Sequence, residues 1–357
     1  MKLTFSARSS CRKFYCQPLI KECRKVRTAM KKRLIIGLLF FILFLGGCNA
    51  WDKAYEEAGS ASFTVTSITG PSALGFVKAM EPNIDPQVRL GDTVYYSFEE
   101  DEEVLYAQLL EGKADMAVVP TEIAAKLYND GAAYQLAAVN TGGYLYLLSE
   151  DESISAVSDL RGKVITIIGE KSAADIVIRQ LLVQNGIDPD NDLTLTSAAS
   201  AETVMDNVAA NDILVLSEPW VTDLLNENSG FSIALDIQEE WKGANEDEMP
   251  LPLTCLIVKK EIPIDRAEEW DLFVADYKDS IDWVNSNPAE TAELLDKHEL
   301  GITKEQAEGV VSRNNLEYVD AAKAKSTVAD YLNLFLEANP DAIGGSMPDT
   351  EFYLEKE

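Results

Sequence analysis

The chain has 357 residues, with 31 Lys and Arg against 60 Asp and Glu, which gives a formal net charge of −29. Residues 1–47 hold 11 of the basic residues and 1 of the acidic ones, so the rest of the chain carries a net charge of −39. A field of that sign repels nucleic acid and anionic lipid, and we exclude nucleic acid as a partner. Only Cys255 follows Cys48, so we expect no intrachain disulfide and a fold that is stabilised by its apolar core.

Residues 30–47 have the three parts of a bacterial lipoprotein signal peptide. Three basic residues come first, an unbroken apolar run follows over 34–45, and two glycines precede Cys48. The run is shorter than the roughly 20 apolar residues that a membrane-spanning helix needs. Because a Cys directly after Leu-Gly-Gly resembles a lipobox, we expect a palmitate-type acyl anchor on Cys48 that holds the chain on the extracytoplasmic face of the cell membrane. The alternative is an ordinary signal anchor with an incidental Cys48.

The signal peptide is flanked by two short segments. Residues 1–29 are a basic extension, which we interpret as a mis-called start, because a signal peptide normally begins within a few residues of its basic cap. Residues 48–62 are mostly small and polar, which predicts a tether between the anchor and the first strand.

Apolar runs and helical spacing alternate from residue 63 onward. Strands are predicted over 63–67, 94–97, 114–119 and 134–139, with helices over 73–80, 100–110 and 123–128. The pattern repeats with strands over 164–168, 193–197, 213–216 and 253–259, and helices over 173–185, 202–210 and 220–225. Residues 229–250 look irregular, and four helices end the chain, over 265–285, 288–300, 303–313 and 321–336. This alternation predicts an α/β fold with mostly parallel sheets.

Several motifs, taken in order, resemble the extracytoplasmic solute-binding lipoproteins of ABC importers. They are the lipobox, the Gly-Pro helix start at 70–71, the segments 110–119 and 159–163, and Ser-Glu-Pro-Trp at 217–220. The branch that the chain resembles most binds nitrate, sulfonates such as taurine, or thiamine precursors. The resemblance implies a two-lobed periplasmic-binding-protein type 2 fold with a hinge of two crossing strands. Lobe 1 would hold residues 63–145 and 253–357, and lobe 2 would hold residues 146–252.

The resemblance also implies a function. A monomeric receptor, without enzymatic activity or a cofactor, would capture a small sulfonate-, nitrate- or pyrimidine-like solute in the cleft between the lobes. Its partners would be the ABC permease and the cytoplasmic ATPase that drives it. Two alternatives stay open, namely an enzyme and a signalling or partner-binding lipoprotein on the same scaffold.

Candidate ligand contacts follow from the loops and helix N-termini at the carboxyl ends of the strands. In lobe 1 they are Thr69, Ser72, Tyr96, Thr121, Asn140 and Thr141, and in lobe 2 they are Ser172, Ser197, Glu218 and Trp220. For each Ser or Thr the alternative role is to cap a helix. Trp220, with Tyr96 or Tyr144, would cover a ring or methylene body of the ligand, or pack in the core. Glu218 would accept a hydrogen bond from a ligand amine or ring N–H, or lie in the first turn of a helix.

Motifs for catalysis or metal binding do not emerge. His298 is the only histidine and lies at a predicted helix end, where a solvated base is common. Asp188, Asp190 and Asp192 imitate the start of an EF-hand loop, but the loop lacks the Gly and the final Glu that calcium binding requires. Phosphate-loop, dinucleotide and zinc-protease motifs are absent from the sequence.

Overall fold

The structure is a computed structural model that describes residues 63–81, 94–227, 230–244 and 249–355. The expected basic extension, signal peptide, Cys48 anchor and tether lie outside these residues. None of the helices within the described ranges combines the length and the hydropathy that crossing a membrane requires.

Eleven strands in the described residues form two sheets. The first sheet contains β1 (Phe63–Ile68), β2 (Val94–Glu99), β3 (Met116–Pro120), β4 (Tyr134–Thr141), β10 (Thr254–Lys259) and β11 (Leu316–Asp320). The second sheet contains β5 (Leu145–Ser149), β6 (Val164–Ile168), β7 (Thr194–Ala198), β8 (Ile213–Ser217) and β9 (Ser232–Asp236). The chain therefore passes to the second sheet between β4 and β5 and returns before β10.

Helices connect and cover the strands. The α-helices are α1 (Glu102–Leu110), α2 (Thr121–Asn129), α3 (Ala173–Gln184), α4 (Ala201–Met205), α5 (Trp220–Asn226), α6 (Ile237–Ala244), α7 (Ile262–Asp265), α8 (Ala267–Ser286), α9 (Pro288–Lys297), α10 (Lys304–Arg313) and α11 (Ala321–Ala338). Shorter 3-10 helices span Pro71–Phe76, Val157–Leu160, Pro340–Ile343 and Thr350–Phe352. Local sequence fixes several helix starts, as at α1, where Asp101 accepts from the N–H groups of Glu103 and Val104.

Both sheets mix parallel and antiparallel pairs. The strand order is β11-β4-β10-β3-β1-β2 in the first sheet and β7-β6-β8-β5-β9 in the second. β1 pairs in parallel with β2 and β3, whereas β10 is antiparallel to both β3 and β4. In the second sheet β6 is parallel to β7 and β8, and β5 is antiparallel to β8 and β9. The α/β fold class is confirmed, but the sheets are mixed and not mostly parallel, because β10 and β11 in the first sheet and β5 in the second are antiparallel to their neighbours.

Burial follows strand position. β3 and β8 lie inside their sheets, and the runs Met-Ala-Val-Val at 116–119 and Ile-Leu-Val-Leu at 213–216 are entirely buried. β7 is an edge strand on which Thr194, Thr196 and Ser197 are exposed, as expected for a polar edge. The largest apolar cluster includes residues of both sheets, such as Leu136 of β4 and Ile165 of β6, so the two halves share buried apolar contacts.

Most predicted elements match the structure within a few residues, and β6 matches at both ends. The irregular structure predicted for 229–250 is wrong, because this segment contains β9 and α6. The strands β5 and β11 were also not predicted. The predicted helix over 73–80 is instead a 3-10 helix, Pro71–Phe76, followed by a turn.

Candidate functional site

The loop after β1 lies at the carboxyl end of the first sheet. Gly70 has a φ of +96°, a conformation that favours glycine, and the 3-10 helix begins at Pro71. The N–H of Thr69 donates to the carbonyl of Glu99 at 3.0 Å, and the N–H of Gly70 donates to the carbonyl of Leu300 at 2.7 Å. These two backbone donors are therefore already used within the protein.

Ser72 connects this loop to the segment that crosses to the second sheet. Its half-buried hydroxyl lies near the phenol of Tyr144, the residue directly before β5. Burial raises the pKa of the Tyr144 phenol, and the nearby carboxylates of Glu122 and Glu102 raise it further. The structure thus brings together Ser72 and Tyr144, two of the residues that the sequence suggested.

Glu122 is a carboxylate in this region that the sequence analysis did not select. It follows Thr121 at the start of α2 and is half-buried, and Tyr331 Oη donates to its Oε2 at 3.3 Å. Burial, together with the carboxylate of Glu102, raises the pKa of Glu122 to about 7. Its position in the first turn of the helix that follows the buried strand β3 is the signal that would have identified it. Thr121 itself is completely buried, and its N–H donates to the carbonyl of Leu253 at 3.1 Å.

Asn140 and Thr141 lie within β4 and are each about 1% exposed. Asn140 Nδ2 donates to Tyr277 Oη at 3.2 Å, and Thr254 Oγ1 donates to Asn140 Oδ1 at 2.7 Å. Thr141 Oγ1 donates to the carbonyl of Asn314 at 2.5 Å. Because both side chains already have buried partners, the structure gives them a role in holding β4 against its neighbours.

Three further candidates have local roles. Ser172 caps α3, since its Oγ accepts from the N–H of Asp175 at 3.3 Å. Ser197 is exposed on the edge strand β7. Tyr96 is half-buried on β2 with its ring 5.6 Å from that of Phe76, and burial raises the pKa of its phenol.

Glu218 is buried in an ion pair with Arg313, and its side chain is completely shielded from solvent. Arg313 Nε donates to Glu218 Oε1, and Thr222 Oγ1 donates to Oε2 at 2.7 Å. The N–H of Thr222 adds a second donor to Oε2 at 3.2 Å. Each carboxylate oxygen therefore has a protein partner, and the ion pair connects the end of β8 to the last residue of α10.

Trp220 begins α5 and is half-buried beside a pocket of about 300 Å³. The pocket lies between α5 and the start of α10 and is lined by Met205, Trp220, Asp223, Asn226, Glu227, Thr303, Glu305 and Gln306. At its floor Gln306 Nε2 donates to both carboxylate oxygens of Asp223, at 2.8 and 2.9 Å. Trp220 and Glu218 thus lie where the second sheet contacts α10.

The candidates therefore fall into two groups. Ser72 and Tyr144, with Glu102 and Glu122, form a polar cluster beside Thr121, which we call the strand-end cluster. Glu218 and Trp220 belong to the α5–α10 contact. In the part of the chain that the structure describes, no three His, Cys, Asp or Glu side chains are arranged to hold a metal ion.

One family model matches the sequence. Residues 87–217 match the model described as an ABC transporter, phosphonate, periplasmic substrate-binding protein. No curated protein sequence matches the chain.

Solved structures share the fold over most of the chain. An ABC transporter protein from Parabacteroides distasonis is 24% identical with a TM-score of 0.68, and the match covers 84% of this chain and 100% of that one. The periplasmic aliphatic sulphonate binding protein SsuA from Escherichia coli is 15% identical with a TM-score of 0.60, covering 77% and 91% of the two chains. The periplasmic nitrate-binding protein NrtA from Synechocystis is 14% identical with a TM-score of 0.53, covering 79% and 83%.

The fold, the two mixed sheets and the family match agree. The two-lobed type 2 periplasmic-binding-protein fold predicted from the sequence is confirmed by these structures. Residues 87–217 are thus similar to a periplasmic substrate-binding protein of ABC transporters, and the fold of the chain is that of the periplasmic binding proteins named above.

Proposed function

We propose that the chain binds a small organic solute between its two lobes and delivers it to an ABC permease that a cytoplasmic ATPase drives. The relatives whose names state a ligand bind aliphatic sulphonates or nitrate, and the family model is named for phosphonates. For this chain we propose a solute of similar size, namely a sulfonate-, nitrate- or pyrimidine-like compound. Lobe 1 would comprise residues 63–145 and 253–357, and lobe 2 residues 146–252.

The observation that carries the proposal is the buried ion pair between the two halves of the fold, in which Glu218 after β8 meets Arg313 of α10. Glu218 follows β8 and Ser72 follows β1, so both lie at the carboxyl ends of strands, where binding sites form in open α/β sheets. A solute that adds contacts to both lobes would favour the closed form by its differential affinity for that form. The closed form would then dock on the permease.

The anchor belongs to the same proposal. An acyl chain on Cys48 would keep a monomeric receptor at the extracytoplasmic membrane face, close to its permease. Intact-mass measurement of the membrane-extracted protein, with Cys48→Ser as the control, tests this part separately.

Thermal unfolding and small-angle scattering test solute binding. The purified protein is screened with taurine, nitrate, methylphosphonate and an aminopyrimidine, alongside a wider metabolite panel. We expect one chemical class to raise the melting temperature and to reduce the radius of gyration, and the compound to be recovered unchanged. A panel in which no compound changes either quantity would contradict the receptor function, and turnover of a bound compound would favour an enzyme.

A further inference from the structure

The helices α5 and α10 meet one another but pack on different halves of the fold. Val221 and Leu224 of α5 belong to an apolar cluster that contains residues of β5 and β8. Ala307 and Val310 of α10 belong to another apolar cluster, which contains residues of β1, β3 and α8. Because each helix keeps its apolar side on its own half, α5 and α10 can separate while both apolar clusters stay buried.

Polar groups join the two helices near the start of α10. Gln306 Nε2 donates to both carboxylate oxygens of Asp223, at 2.8 and 2.9 Å. Asn226 Nδ2, at the end of α5, donates to the carbonyl of Glu305 at 3.2 Å. Water can replace hydrogen bonds of this kind when the helices move apart, so breaking them costs far less than exposing apolar core.

The two ends of α10 differ in depth. Gln306, in its first turn, is half-buried and lines the pocket of about 300 Å³. Arg313, its last residue, joins the completely buried side chain of Glu218. Just beyond it, Asn315 Nδ2 donates at 2.8 Å to the carbonyl of Gly143, in the segment that connects β4 to β5. At about 1.5 Å per residue, roughly 10 Å separates Gln306 from Arg313, so a rotation about the connecting segment moves the Gln306 end farther.

Gly309 allows the close approach of the two helices between these ends. A Cβ added at Gly309 would lie 2.9 Å from Thr222 Cγ2 and would also clash with Thr222 Oγ1. Thr222 is 2% exposed, and its hydroxyl donates to Glu218 at 2.7 Å, which fixes its position. A side chain on this face of α10 would therefore push α5 away.

We propose that the cleft opens at the α5–α10 side, and that the hydrogen bonds of Gln306 to Asp223 and of Asn226 to Glu305 break when it does. We call these hydrogen bonds the latch. The largest apolar cluster contains residues of both sheets and of α3 and α11, so this side of the molecule stays together as the lobes rotate. The inference rests on the proposed function and goes beyond it by naming where the lobes part.

Gln306→Glu tests the latch and keeps the start of α10. Gln306 Oε1 accepts from the N–H of Thr303 at 2.9 Å, and a carboxylate can accept the same capping bond. The substitution replaces the donor to Asp223 by a second negative charge. We expect the ratio of closed to open protein to fall by at least about tenfold, measured as a larger radius of gyration in small-angle scattering without ligand.

Three companion variants make the result specific to the latch. Asp223→Asn combined with Gln306→Glu exchanges donor and acceptor and should restore the wild-type radius of gyration. Gly309→Ala should enlarge the protein, although alanine favours a helix more than glycine does. Gln184→Glu makes the same charge change at an exposed residue of α3 and should leave the radius unchanged.

Titration distinguishes failure of the latch from failure of the receptor function. Scattering is repeated with whichever of taurine, nitrate, methylphosphonate and an aminopyrimidine compacts the wild-type protein. Gln306→Glu should need at least about tenfold more of that compound to reach the compact form. If Gln306→Glu and Gly309→Ala match wild type with and without it, the latch is overturned and the receptor function stands.

The opposite outcome is also informative. If no compound compacts the wild-type protein, the receptor function is contradicted, and enlargement of the two variants without ligand still supports the latch. A radius of gyration that is the same in every sample contradicts both. Thermal melts of all variants verify that each is folded.

Discussion

Replacing Arg313 by Met tests the ion pair that joins β8 to α10. The Glu218 side chain is completely buried, whereas that of Arg313 is 22% exposed. Arg313→Met keeps much of the side-chain volume but leaves the carboxylate with Thr222 as its remaining partner, through the hydroxyl at 2.7 Å and the N–H at 3.2 Å. Breaking a buried ion pair from one side costs about 3–5 kcal/mol.

We expect a loss near the lower end of that range, about 3 kcal/mol, because Thr222 still donates twice to Glu218 and Arg313 is partly exposed. The measurement is the free energy of unfolding from urea denaturation. The double variant Glu218→Gln with Arg313→Met removes both charges and should recover most of the loss, since no uncompensated charge stays buried.

A surface ion pair provides the control. Lys325 Nζ lies 2.8 Å from Glu355 Oε1, and these side chains are 34% and 66% exposed. Lys325→Met should cost less than about 1 kcal/mol, because solvent screens an exposed pair. If Arg313→Met is no more destabilising than Lys325→Met, or if the double variant is as unstable as the single one, the buried-charge reasoning is refuted.

Three further predictions concern stability. The pKa of Glu122 is about 7 in the folded protein and ordinarily 4.5, so between these values the folded state binds more protons than the unfolded state, and stability falls as the pH rises through this window. Glu122→Gln should remove up to about 3 kcal/mol of that fall, measured by urea denaturation at pH 5 and pH 8. An unchanged pH dependence of stability in the variant would contradict this prediction. Gly75→Ala should lower the unfolding free energy by about 1–3 kcal/mol, since the added Cβ would lie 2.7 Å from Tyr277 Oη in the core, and a wild-type melting temperature would disprove the clash. Asn140→Ala should cost a similar amount by leaving the Tyr277 and Thr254 hydroxyls without their partner, whereas Asn140→Asp should retain the Thr254 bond and lose less.

The sequence predicted those helices and strands that are determined by residues within or next to the element itself. The apolar run at 164–168 gives β6, and the Ser-x-x-Asp start at 172–175 gives the cap of α3. β5 and β9 were not predicted, because β5 follows β4 after only three residues and β9 lies in a polar, acidic segment, so neither run stands out from its neighbours. Their pairing with residues 64 to 90 positions away along the chain defines them as strands.

The candidate site shows the same difference between features set by local sequence and features set by distant residues. The loops that carry Ser72 and Thr121 follow predicted strands, so their position at one end of the sheet could be read from the sequence. The hydrogen-bond and ion-pair partners that decide each side chain's role could not be predicted from the sequence. Glu218 meets Arg313 from 95 residues away, and Asn140 meets Tyr277 from 137 residues away. Distant partners of this kind turn two predicted ligand contacts into residues with internal partners.

Cys255 has a practical consequence for watching the lobes move. It lies within β10 and is fully buried, and burial raises the pKa of its thiol. Maleimide dyes, which react with exposed thiolates, should therefore leave Cys255 unlabelled. Of the five cysteines in the sequence, it alone follows Cys48. New cysteines at the exposed positions Val164 on β6 and Leu272 on α8 would therefore accept a donor and an acceptor fluorophore selectively. Energy transfer between the two dyes would then report the separation of the sheets in single molecules.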